Sequence, residues 1–150
     1  MSAFTVKLRD GVGMNRWRDD QFWLALALGP IVWGVSLGLT HGVRHEPPAW
    51  WVLALAVLVY PPLEEIVFRG TLQPWLAQRT GRRWGGVTAA NLLASLAFAA
   101  SHLLRHDWLH ALLVLPPSLV FGYFYERHRG LASPIMIHAF YNAGYVYFLS

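Results

Sequence analysis

Five apolar stretches occupy most of this 150-residue chain. Each is close to the roughly 20 residues that a helix needs to cross a bilayer. They run over about Gln21–Thr40, Trp50–Gln78, Trp84–Leu104, Trp108–Tyr125 and Leu131–Leu149. The first carries no charge, and the fourth has Pro116-Pro117 in its middle. Hydrophobic residues make up 55% of the chain and charged residues 13%, whereas soluble domains average about 25% charged. The expected fold is all-α, a polytopic transmembrane helical bundle of about five spans. It forms one unit over 21–150 behind a polar segment, 1–20. That segment has mixed charge and no short apolar core with a small-residue cleavage site, so the first span is expected to stay as an anchor.

The connections are short, and they set the topology. His41–Pro48, Arg79–Arg83 with Gly81, Arg105–Asp107 and Glu126–Gly130 join successive spans. Loops of this length make neighbouring helices antiparallel. With the N-terminus inside, the inner segments hold Lys7, Arg9, Arg16, Arg18, Arg79, Arg82, Arg83, Arg127 and Arg129, and the outer loops hold Arg44 and Arg105. That bias predicts N-terminus in and C-terminus out. Trp50, Trp51, Trp84 and Trp108 fall at span ends, where an aromatic belt sits. The formal charge of +4 is distributed as topology signals and not as a stripe, which argues against nucleic acid as a partner. There is no cysteine, which excludes disulfides, a thiolate nucleophile and thiolate metal ligation.

The second span contains PPLEEIVFRG, residues 61–70. A charge at bilayer depth costs from about 2.5 to well over 10 kcal/mol, so Glu64, Glu65 and Arg69 call for a function. Glu65 and Arg69 are four apart and share a face, so they can pair. Glu64 is turned about 100° away and has no partner on its own helix; it must find a donor elsewhere or stay protonated. Pro61-Pro62 is expected to break or kink the helix, freeing carbonyls and giving water a place. The bland reading of Glu65–Arg69 is a lock between helices, and a lock has no use for a second acid.

Polar residues recur in two further spans. Asn91, Ser95, Phe98 and His102 fall on one face of the third. Ser95 is read there as a small packing residue, and His102 alone as interfacial. His138 and Asn142 lie four apart on the fifth, with Tyr141 and Tyr145 on or near that face. Alone they read as an interhelical hydrogen bond; facing two acids and another His, they fit a site better. His106 and His110 are read as interfacial, and the first and fourth spans as scaffold. Two chemistries use such a set. A carboxylate and a His can hold a water while His and Asn stabilise an oxyanion. Alternatively Glu64, His102 and His138 can bind zinc and leave a position open for water. No HExxH is present, which removes the usual helical zinc signature.

EEIVFRG, FAASH and HAFYN, in that order on separate apolar segments, resemble the EExxxR, FxxxH and HxxxN motifs of the CAAX-processing and bacteriocin-processing (CPBP, or Abi) family of intramembrane endopeptidases. The resemblance covers about Trp50 to the C-terminus. It implies that Glu64 activates water with His102 helping to hold it. Glu65 and Arg69 would brace the site, and His138 and Asn142 would form the oxyanion hole. It implies a metal-free, glutamate-type protease with no cofactor, with zinc as the alternative. Prenyl-processing members are longer, and this chain is close to the minimal core of the short bacterial forms. The expected substrate is therefore a membrane-associated peptide or C-terminal tail cut near the membrane boundary, in a bacterial inner membrane. A proton-coupled carrier or a membrane partner protein is the rival class, because intramembrane acids and histidines also serve proton relays. The chain has no repeated halves with paired broken helices to support a carrier.

Depth raises one conflict. At 1.5 Å per residue, Glu64 lies about 21 Å in from the outer face and His138 about 10 Å in from the inner face. In a core about 30 Å thick these agree. His102, counted from Trp84, comes out about 27 Å from the inner face. On that reckoning it misses the other two by more than about 15 Å.

Overall fold

A computed structural model describes residues 15–40 and 46–148. Lys7, Arg9 and Arg44 of the charge pattern, and the last residue of the fifth stretch, lie outside the described residues. Among them, five helices carry the fold: α1 (Asp20–Thr40), α2 (Trp50–Ala77), α3 (Ala89–His102), α4 (Trp108–His128) and α5 (Ala132–Phe148). The all-α bundle is as expected. Two of the helices, α2 and α4, are long and apolar enough to cross a membrane.

Helix starts follow local capping chemistry. Asp19 Oδ1 accepts from Gln21 N at 3.1 Å at the head of α1. Thr88 Oγ1 accepts from Asn91 N at 3.0 Å before α3, and Asp107 Oδ1 accepts from His110 N at 2.8 Å before α4. Each such cap is worth about 1 kcal/mol. α4 runs three residues past the expected Tyr125 and ends at Arg129, whose φ of 52° is left-handed.

The third stretch differs from expectation at its start. Trp84 does not begin a helix. Strands β1 (Arg83–Trp84) and β2 (Val87–Thr88) pair antiparallel across Gly85-Gly86. Gly85 adopts φ +58°, the conformation a two-residue hairpin turn demands. Helix α3 therefore begins five residues later than the apolar run suggests, which overturns the depth reckoning for His102.

Of the break or kink expected at the proline pair, the break is absent: α2 runs through Pro61-Pro62. A proline ring collides with the carbonyl four residues back and offers no N–H. The chain answers with a π-helical turn, Leu55–Val59, just before the pair, and a second, Ile66–Leu72, just before Pro74. Widening the helix displaces the carbonyls that the rings would strike, and such turns favour functional sites.

α1 packs on α5, α5 on α4 and α4 on α3. The N-terminal half of α2 lies against α5 and its C-terminal half against α3. Phe22, Ala25, Phe121, Phe124 and Ile137 form an apolar cluster among α1, α4 and α5. Gly144 lets α1 approach, because a Cβ there would fall 2.0 Å from the Trp33 ring. Elsewhere the burial pattern is inverted relative to a soluble protein. Glu65, Arg69, Asn91, Ser95 and Ser118 are each 0% exposed, whereas Leu58 is 71% and Leu113 63% exposed. Apolar surface around a polar interior suits a lipid solvent, in which buried polar groups must satisfy one another.

Candidate active site

Glu64 and Glu65 sit on the last turn before the second π segment of α2. Adjacent residues on a helix diverge, and here the divergence lets one imidazole reach both. His138, on α5, places Nδ1 2.9 Å from Glu65 Oε1 and Nε2 3.5 Å from Glu64 Oε2. Its ring stacks on Phe121 at 4.6 Å between centroids and meets Phe98 edge-on at 5.7 Å. Held by a ring stacked on one face, a second ring edge-on and a carboxylate at Nδ1, His138 has little freedom to turn. The Glu65 side chain is fully buried, and that of Glu64 is 34% exposed. Glu64 is thus the more open of the two carboxylates.

Behind the acids lies Arg69. Its Nε is 3.4 Å from Glu65 Oε2. These two atoms are not aligned for a hydrogen bond and have no other partner. The terminal nitrogens are fully engaged. Nη1 donates to Gln73 Oε1 at 3.0 Å and to Ser95 Oγ at 3.3 Å. Nη2 donates to Ser118 O at 2.7 Å and to the Ser118 hydroxyl. One guanidinium therefore ties α2, α3 and α4. Gln73 Nε2 continues to Gly122 O at 3.1 Å and Glu126 Oε1 at 2.7 Å, and Thr88 Oγ1 donates to the same Glu126 oxygen at 2.5 Å. Asn91 Nδ2 donates to Leu119 O at 2.9 Å. Gly122 makes room for this network: a Cβ there would lie 1.9 Å from Asn91 Oδ1.

His102 is nearer the site than the depth reckoning allows. Its Nδ1 is 2.9 Å from Phe98 O, and its ring lies 4.7 Å from the Phe98 ring that also touches His138. On its other side it stacks with His106 at 6.2 Å and His110 at 5.8 Å, which are 4.1 Å from each other. Asn142 Nδ2 donates to Ala56 O at 3.1 Å, which ties α5 to the first π turn of α2. Tyr141 and Tyr145 turn elsewhere. The Tyr141 hydroxyl donates to Ala25 O, and the Tyr145 hydroxyl meets His110 Nδ1 at 3.4 Å. Among the described residues, no three His, Asp or Glu side chains are grouped to hold a metal ion.

Of the residues the sequence singles out, Glu64, His138, Glu65 and Arg69 lie in one chain of contacts, while His102 bonds Phe98 O and Asn142 bonds Ala56 O; Gln73, Ser118 and Glu126 join the Arg69 network without having been singled out. Gln73 was legible: it continues the Glu65–Arg69 face by another four residues. Ser118 sits in the stretch read as scaffold, and it supports Arg69 through its carbonyl as well as its hydroxyl.

Comparison with protein families matches residues 46–144 to the type II CAAX prenyl endopeptidase Rce1-like family. The chain belongs to this family. The matched region holds every candidate site residue, and the family comprises CAAX-type endopeptidases that act within the membrane. The protein is accordingly a hydrolase of the intramembrane type, with membrane-associated peptides as its class of substrate. No curated protein and no solved structure matches the chain.

Proposed function

We propose that this CPBP-type endopeptidase hydrolyses its peptide with a water activated by Glu64, without a metal. The observation that carries the reading is the pair of carboxylates flanking His138, one buried and one open. Glu65 accepts the Nδ1 proton of His138 and stabilises the imidazolium, as the orienting acid of a catalytic triad does. That leaves Nε2–H facing the open side. Glu64 takes a proton from water as the water oxygen bonds the scissile carbonyl carbon. His138 Nε2–H and an amide N–H of Asn142 receive the developing oxyanion. Glu64 then passes its proton to the leaving nitrogen, the C–N bond breaks, and a carboxylate and an amine depart. His102 helps to hold the water, and Arg69 braces Glu65. The substrate is a membrane-associated peptide or C-terminal tail, cut near the bilayer boundary in a bacterial inner membrane.

Glu64→Gln preserves shape and removes the base. It should fold normally and lose cleavage of two quenched fluorescent reporters in detergent, a farnesylated CAAX peptide and an unprenylated membrane-spanning peptide. Near-normal turnover by this variant would overturn the glutamate reading, and failure of the parent protein to cleave either reporter would reopen the carrier and partner-protein alternatives.

A further inference from the structure

The oxygen that Asn142 holds is one that α2 leaves bare. In the first π turn, Tyr60 N–H reaches back five residues to Leu55 O. The next donor in that register, from position 61, would serve Ala56 O. Position 61 is proline and has no N–H. Ala56 O therefore drops out of the helix ladder, in a setting where backbone carbonyls need a donor from within the protein. Asn142 Nδ2 supplies it at 3.1 Å. Pro61 is itself fully buried.

We propose that Pro61 is a positioning residue for Asn142. By withholding the backbone donor from Ala56 O, it keeps that carbonyl turned out toward α5, where it fixes the Asn142 amide. A carboxamide nitrogen carries two N–H groups. With one held by Ala56, the other is presented in a set direction to the scissile carbonyl. This rests on the reading of Asn142 as an oxyanion donor. An amino acid with an N–H at position 61 would restore a backbone donor to Ala56 O. The carbonyl would then retract along the helix axis, and Asn142 would lose its anchor.

The test compares Pro61→Ala with Pro62→Ala, whose new N–H would serve Val57 or Leu58 and not Ala56. With selectively labelled asparagine in detergent, the Asn142 side-chain amide signal should lose its hydrogen-bond shift in Pro61→Ala and keep it in Pro62→Ala. With whichever reporter peptide the parent protein cleaves, Pro61→Ala should lower kcat on the order of 10–100-fold and leave KM unchanged. The Pro61→Ala, Asn142→Ala double variant should be no slower than Asn142→Ala alone, because residues acting through one another are not additive. An unchanged amide signal in Pro61→Ala, or multiplied losses in the double variant, overturns the proposal. Asn142→Ala alone should also lower Tm by stranding Ala56 O, and an unchanged Tm overturns the proposal without any variant at Pro61. Full turnover in Asn142→Ala would defeat the oxyanion reading instead, while the amide signal still decides whether Pro61 fixes Asn142.

Discussion

Arg69 presents a planar fork to acceptors on three helices, with Gln73, Ser95 and Ser118 at its terminal nitrogens and Glu65 beside its Nε. Removing the fork strands all of them and leaves Glu65 as an uncompensated buried charge. Losing one partner of a buried pair costs about 3–5 kcal/mol. Arg69→Ala should therefore lower the thermal midpoint in detergent as well as turnover. Arg69→Lys should rescue little, because a point charge cannot span Ser95 and Ser118 together. A wild-type midpoint in Arg69→Ala would mean that the network carries no stability. Glu65–Arg69 was legible as an i,i+4 pair, as was the face carrying Asn91 and Ser95. What lies opposite that face was not, since periodicity within one helix says nothing of its neighbour. Ser118 illustrates this, because its backbone carbonyl is as much a partner as its hydroxyl. At His138 both ring nitrogens already face carboxylates, and His102 Nδ1 faces Phe98 O. Turnover should accordingly survive chelation, with no stoichiometric zinc in the purified protein. About one zinc per chain, with activity lost on its removal and restored on its return, would establish the zinc version through Glu64, His102 and His138.

At the scale of elements, a second polar cluster ties three helices at the opposite end from His102. Asp19, ahead of α1, receives Arg127 Nε at 2.6 Å and lies 2.8 Å from His128 Nε2, and His128 Nδ1 meets Ser133 Oγ at 2.7 Å. Arg127, at the foot of α4, is the main reason that the Asp19 carboxyl titrates at about 2 instead of its ordinary 3.8. A depressed carboxyl adds stability that is complete above the unfolded value and disappears as pH falls through the folded one. The clasp should be intact above pH 3.8 and lost on passing through about 2. Thermal unfolding of the parent and of Asp19→Asn should thus differ at neutral pH and converge in strong acid. A constant gap would show that Asp19 does not act through its charge. The sequence revealed the helices themselves because each is a long apolar run. It hid their starts and turns where glycine or proline overrode the run. Gly85-Gly86 cut the third stretch short, and that single error produced the false depth for His102. Pro61-Pro62 read as a break or a kink that frees carbonyls; the helix instead runs on unbroken past a π turn, for which a proline rule applied to an α-helix has no place.

For the molecule as a whole, the contacts show which helix ends lie together. The Asp19, Arg127, His128 and Ser133 cluster gathers the start of α1, the end of α4 and the start of α5, and Gln73, Thr88 and Glu126 add the end of α2 and the start of α3. Arg16, Arg18, Arg79, Arg82, Arg83, Arg127 and Arg129 all belong to that end, whereas Arg105 belongs to the other. Alternating helix direction was readable from the short loops. Basic residues favour the inner side, so the basic end is expected to face the cytoplasm. The helix between the two ends is short, because α3 has 14 residues and rises about 21 Å at 1.5 Å per residue. The chain has no cysteine, so single introduced thiols report without background. Gly81 tolerates one, since a Cβ there meets nothing within 4 Å, and Leu104 is 86% exposed at the other end of α3. In intact cells a membrane-impermeant maleimide should label Leu104→Cys, and it should label Gly81→Cys only once the membrane is opened. The reverse pattern would invert the orientation, turning the basic end outward. Labelling of both thiols in intact cells would place α3 on one side of the membrane, and with it the end of α2 that carries Arg69.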